Sequence, residues 1–100
     1  MLKDIALDRI AIKDFCSRWD ITEFALFGSI LRSDFGPDSD IDVLVTLSPL
    51  AQWDLFDWIE MRSQLETLLG RQIDLVEKSS IRNPYRREGI LAHCETIYAA

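Results

Sequence analysis

From Asp40 to Leu47 the chain reads Asp-Ile-Asp-Val-Leu-Val-Thr-Leu, with Ile41, Val43, Val45 and Leu47 at every second position. Apolar, β-branched residues repeating with period two specify a strand that buries one face in a core. Pro49 ends it, because proline has no N–H for a strand ladder. Asp40 and Asp42 then share the opposite face, about 6.5–7 Å apart, with Asp38 just upstream. At an effective dielectric of about 20, two charges at that spacing repel by about 2.5 kcal/mol, and by well under 1 kcal/mol in bulk water. The pair is therefore either fully solvated or brackets a cation. A hard divalent ion such as Mg²⁺ takes such carboxylates together with substrate phosphate oxygens.

The remaining pattern surrounds this strand with helices. Residues 3–19 place Ile5, Ile12, Phe15 and Trp19 at helical spacing. Glu23–Gly28 is a short apolar run halted by a glycine and reads as a buried strand. Residues 52–69 form the longest helix, with Leu55, Trp58, Ile59, Leu65 and Leu69 as its apolar stripe and Gly70 as C-cap. Residues 71–77 read as a third strand, 83–94 as a helix begun near Pro84, and 95–99 as a closing edge strand. The expected fold is α/β (α+β), a small mixed sheet of three to four strands covered by helices. No linker or repeat divides it, so residues 1–100 are expected to be a single domain.

Charge narrows the partners. The chain has 17 acidic and 11 basic residues, a formal net charge of −6. Duplex and single-stranded nucleic acids are bound chiefly by Lys and Arg neutralising phosphates, so no direct nucleic-acid partner is expected. Any polyanion handled here should be small and accompanied by metal. Cys16 and Cys94 have no metal-site spacing and fit reduced, buried thiols, which points to a cytoplasmic location. No apolar run approaches membrane-spanning length, so no membrane association is expected.

Upstream of the acidic strand stands Gly28-Ser29, a sharp turn from strand into a short helix with Ser29 as its expected N-cap. Glycine lets a phosphate approach the backbone closely, and a hydroxyl with helix N-terminal N–H groups binds anionic oxygen. A phosphate cradle beside a carboxylate pair is suited to phosphoryl or nucleotidyl transfer. A calcium loop counted from Asp38 is excluded, because Val43 falls where its glycine belongs and Pro49 where its bidentate Glu belongs.

Residues 28–45 resemble the Gly-Ser…Arg…Ser-Asp-x-Asp signature of the polymerase-beta-like nucleotidyltransferases. They are most similar to the minimal nucleotidyltransferases, the MntA-type antitoxins of HEPN/MNT toxin–antitoxin pairs. The resemblance extends through Gly70–Glu77 and the C-terminal segment. It implies Asp40, Asp42 and Asp74 as catalytic carboxylates and metal ligands around two Mg²⁺ ions, with Asp74 near the attacking hydroxyl. It implies Gly28 and Ser29 on the β- and γ-phosphates of ATP, the substrate. Arg32 matches the motif arginine, and either helps neutralise phosphate or forms a salt bridge to Asp34 or Asp38. Ser33 stands where many members have glycine, which makes that loop bulkier. The function implied is transfer of AMP from ATP to a tyrosine hydroxyl on a HEPN-type toxin, a ribonuclease silenced by the modification. The alternative is a catalytically idle antitoxin that neutralises the toxin by binding alone.

Other candidates carry a weaker signal. His93, the only histidine, sits where capping or packing is expected. Arg82, Arg86 and Arg87 are either a solvated helix face or a grip on phosphates or on an acidic partner. Trp58 fits the core stripe of the long helix, and Trp53 precedes it.

Overall fold

The structure, a computed structural model, describes residues 7–28 and 40–100. The element order is α1 (Arg9–Arg18), β1 (Ile21–Phe27), β2 (Ile41–Leu47), α2 (Leu55–Leu69), β3 (Ile73–Glu77), a 3₁₀ turn (Lys78–Ser80), α3 (Pro84–Ala92) and β4 (Cys94–Ala99). The four strands form one mixed sheet in the order β3-β2-β1-β4. β1 pairs antiparallel with both β2 and β4, whereas β2 and β3 run parallel, with α2 as the crossover between them. A parallel pair needs such a crossover.

Each helix is bounded by residues that satisfy its orphan backbone groups. Asp8 caps α1, its Oδ1 accepting from the N–H groups of Ile10 and Ala11 at 3.1 Å. Asp54 and Asp57 form a reciprocal capping box at the start of α2, which is why that helix opens at Leu55 and not at residue 52. Asn83 Oδ1 accepts from Tyr85 and Arg86 N–H at 3.0 and 3.2 Å, and Pro84 occupies the first turn of α3, where its missing N–H costs nothing.

α2 ends at Gly70 in the left-handed conformation, φ +68°, with open space where a Cβ would project. Gly70→Ala is therefore expected to cost only the conformational penalty, about 1–2 kcal/mol, read as a lowered urea midpoint with an unchanged m-value.

Two apolar clusters hold the sheet. On one face α1 and α2 bury Ile12, Phe15, Cys16, Met61 and Leu65 against Phe24, Leu26, Ile41, Val43, Val45, Ile73 and Leu75. On the other, Ile81 and Ile90 cover Ala25, Phe27 and Leu44. Here the structure corrects the sequence reading twice. The core-facing stripe of α2 is buried Met61 and Leu65 with half-buried Trp58 and Leu69 beside them, while Leu55 and Ile59 are 69% and 52% exposed. One residue past Trp58 is a 100° turn of the helix, which carries Ile59 off the sheet. The second correction concerns β2, whose far face is acidic only at its start; Leu44 on that face belongs to a core.

Cys16 is fully buried, and burial pushes its thiol up to about 12. The folded state thus favours the neutral thiol. Its contribution to stability is complete below the unfolded value near 9.0 and declines as pH rises toward the folded value. Iodoacetamide on the native protein is expected to modify half-buried Cys94 and spare Cys16. Mass spectrometry of the digested product checks this.

Candidate active site

The register of the sheet collects the acidic residues at one end. Parallel pairing sets Asp42 beside Asp74, and antiparallel pairing sets Phe27 beside Asp42 and Cys94 beside Phe27. Paired residues in neighbouring strands project to the same face, about 4.8 Å apart. Asp74, Asp42, Phe27 and Cys94 therefore form one row across the sheet, on the face that carries α3. Asp40 lies immediately before β2 on the same face as Asp42. Asp40 and Asp74 are exposed and Asp42 is half-buried.

Two backbone ties fix this end of the sheet. Ile41 N–H donates to Gln72 C=O at 2.9 Å, and Ile73 N–H donates to Glu66 Oε2 at 3.1 Å. Together they lock the start of β3 to β2 and to the last turns of α2, so the Asp42–Asp74 register is held from both sides.

Gly28, directly after β1, closes the row. Its φ is +73°, and a Cβ built on it would lie 3.0 Å from Asp42 Cγ, 3.3 Å from Asp42 Cβ, and would overlap Oδ2. The absent side chain is the space that the Asp42 carboxylate occupies. Only glycine meets both demands, since left-handed φ is costly for other residues.

Gly28, Asp40, Asp42 and Asp74 are thus gathered at one sheet end, whereas Ser29, Arg32, Asp34 and Asp38 lie outside the described residues. Among the described residues, no three acidic, histidine or cysteine side chains converge closely enough to cage an ion. Mg²⁺ seldom needs such a cage, because it keeps several waters and takes one or two carboxylates plus phosphate oxygens. An all-oxygen donor set of carboxylates at one sheet end fits an ion arriving with a nucleotide. The sequence reading passed over Arg71, a half-buried cation that enters β3 from this same end. Its signal is a basic residue just before the third strand.

His93, Arg87 and Trp53 have structural contacts. His93 is the C-cap of α3, its backbone N–H donating to Ile90 C=O at 3.2 Å. Arg87 Nη1 donates to Lys78 C=O at 2.9 Å, tying α3 to the 3₁₀ turn, whereas Arg82 and Arg86 are exposed. Trp53 packs edge-on against Trp19 at 5.1 Å and donates to Trp19 C=O at 2.8 Å. No helix among the described residues is long and apolar enough to cross a membrane.

A mixed sheet with a glycine turn facing a cross-strand carboxylate pair is the arrangement of a nucleotidyltransferase. The nucleotidyltransferase domain family model matches residues 8–97, and the chain belongs to that family. It is 38% identical over 71 residues to the protein adenylyltransferase MntA of Thermococcus cleftensis, covering 71% of this chain and 70% of that one. Two solved structures share the fold. One, a toxin–antitoxin with AMP-PNP, superposes with a TM-score of 0.74 at 20% identity, covering 94% of this chain and 75% of that one. The other, a Shewanella oneidensis MNT antitoxin complex with a tri-AMPylated HEPN toxin, gives 0.65 at 18% identity, covering 92% and 70%.

Proposed function

We propose that this chain is a Mg²⁺-dependent protein adenylyltransferase that moves AMP from ATP to a tyrosine hydroxyl on a HEPN-type toxin and so neutralises it as an antitoxin. The observation that carries the reading is the Asp42–Asp74 pair with Gly28 against it. A charged pair beside a glycine that leaves room for a carboxylate has little value to a module that only binds. The names of the curated relative and of the solved complexes point the same way.

In this reading Gly28 lets the triphosphate approach the backbone, and Ser29, with N–H groups after the turn, holds the β- and γ-phosphates. Arg32 neutralises phosphate charge. Asp40 and Asp42 hold the metal–nucleotide, and Asp74 orients the acceptor hydroxyl and accepts its hydrogen bond. The bound Mg²⁺ supplies charge neutralisation for the triphosphate and a lowered barrier to hydroxyl deprotonation. The hydroxyl oxygen attacks the α-phosphorus in line as its proton passes to the Asp74 carboxylate and on to solvent, the bond to the bridging oxygen breaks, and pyrophosphate leaves with the electron pair.

The test uses the purified chain, a HEPN toxin partner, Mg²⁺ and ATP labelled at either the α- or the γ-phosphate. Label on the toxin from α-ATP, none from γ-ATP, and none with EDTA is the expected result. A toxin that is bound and inhibited without label would instead make the chain an idle binding antitoxin.

A further inference from the structure

β3 is one edge of the sheet, and its outward backbone groups set up an interface. Ile41 N–H bonds to Gln72 C=O. By the alternation of a parallel ladder, residues 72, 74 and 76 then bond inward to β2, and 73, 75 and 77 face outward. Two of the outward groups are met within the chain: Ile73 N–H by Glu66 Oε2 at 3.1 Å, and Glu77 C=O by Ser80 Oγ at 2.7 Å. The N–H and C=O of Leu75, the C=O of Ile73 and the N–H of Glu77 have no partner among the described residues. On the opposite edge, β4, Arg9 Nη1 donates to Ile97 C=O at 3.2 Å.

Along the β3 edge runs an open groove of about 390 Å³, lined by Trp58, Leu75, Val76, Glu77, Ser80 and Arg86. Arg86 is exposed, as is Asp74, and neither side chain makes a hydrogen bond or ion pair among the described residues. Among the described residues the edge therefore carries an unmatched cation, Arg86, beside residue 76 and an unmatched anion at residue 74.

We propose that two copies of this chain pair edge to edge through β3, antiparallel about Leu75, so that Arg86 of each copy stands at Asp74 of the other. A two-fold axis requires an antiparallel pair. With Leu75 opposite Leu75, their N–H and C=O groups exchange two hydrogen bonds, and Ile73 C=O of each copy meets Glu77 N–H of the other. The two groups already satisfied within the chain, Ile73 N–H and Glu77 C=O, are the ones that would have met each other in this register. No internal bond has to break. Opposed residues share a face, which sets Val76 across from Asp74. Arg86, lining the groove beside Val76, then meets that carboxylate twice over, once in each half of the dimer. A foreign extended strand would match the hydrogen bonds; a second copy matches them and also supplies a partner of opposite sign for both charges. The dimer brings a cation from one copy to the acidic row of the other, adding a positive side chain beside the proposed Mg-ATP site. The pairing itself does not rest on adenylyl transfer.

Sedimentation velocity of the purified chain across a wide concentration range tests it, independently of activity. A species of twice 11.5 kDa is expected, weakening as salt is raised. Arg86→Glu, which sets like charges across the interface at an exposed position, is expected to give the 11.5 kDa monomer. The charge swap Arg86→Asp with Asp74→Arg is expected to restore the dimer. A wild-type monomer, a dimer indifferent to Arg86→Glu, or a loss that the swap does not repair would each overturn the proposal. Dimer formation with failed AMP transfer would leave the pairing standing and remove only the catalytic reading.

Discussion

Asp42→Asn is expected to reduce AMP transfer to the toxin by about 10²–10³-fold, the loss typical of removing one group that stabilises transition-state charge. At 1.36 kcal/mol per factor of ten this is about 3–4 kcal/mol of barrier. The loss should be far larger in kcat/KM than any change in folding stability. Asp42 stands at the start of β2, outside both apolar clusters, and its neighbours Asp40 and Asp74 carry the same charge. Replacing a carboxylate by its neutral isostere keeps its shape, so the urea midpoint should move far less than the transfer rate. Asp74→Asn, one strand away in the same row, is expected to behave alike. Measuring transfer and unfolding on the same preparations separates catalysis from fold.

Gly28→Ala is the second large effect, and Gly70→Ala is its control. Both glycines hold left-handed φ, +73° and +68°, so both alanines should lose about 1–2 kcal/mol of stability. They differ in what the new methyl meets. At 70 nothing lies within 4 Å, whereas at 28 the methyl would sit 3.0 Å from Asp42 Cγ and press on its carboxylate. Displacing a reacting group by about 1 Å can cost about 10²-fold in rate. Gly28→Ala is therefore expected to lower AMP transfer by about that factor beyond its stability cost, while Gly70→Ala leaves transfer unchanged. Removing the obstructing carboxylate in Gly28→Ala/Asp42→Ala should recover part of the stability lost by Gly28→Ala alone, a non-additivity that a urea double-mutant cycle measures.

Sequence patterns are most readable where one local rule decides the outcome. Period two fixed β2, Pro84 marked the start of α3, and Gly70 fixed the end of α2. The stripe of α2 was misjudged because Leu55 and Ile59 are as apolar as Met61. Only the angle at which the helix meets the sheet decides which of them is covered. Leu44 was missed for a related reason: its face is acidic at Asp42 and apolar one pair later, where Ile81 and Ile90 arrive from distant sequence.

The site divides in the same way. Gly28, Asp40 and Asp42 are close in sequence and fall into one motif. Asp74 reaches them only through the parallel crossover, which no local pattern specifies, so its place there was expected from family resemblance alone. The contact between Gly28 and the Asp42 carboxylate is a tertiary fact that a glycine in a sequence cannot announce.

The most direct measurement of the central claim needs no partner protein. Mn²⁺ added in small amounts to the ¹⁵N-labelled chain with a non-hydrolysable ATP analogue broadens the amide signals nearest the bound ion. Broadening centred on Gly28, Asp42 and Asp74, and abolished by Asp42→Asn, is the expected result. Broadening centred instead on the acidic first turns of α2, around Asp54, Asp57 and Glu60, or left unchanged by Asp42→Asn, would contradict the assignment of this row as the metal–nucleotide site.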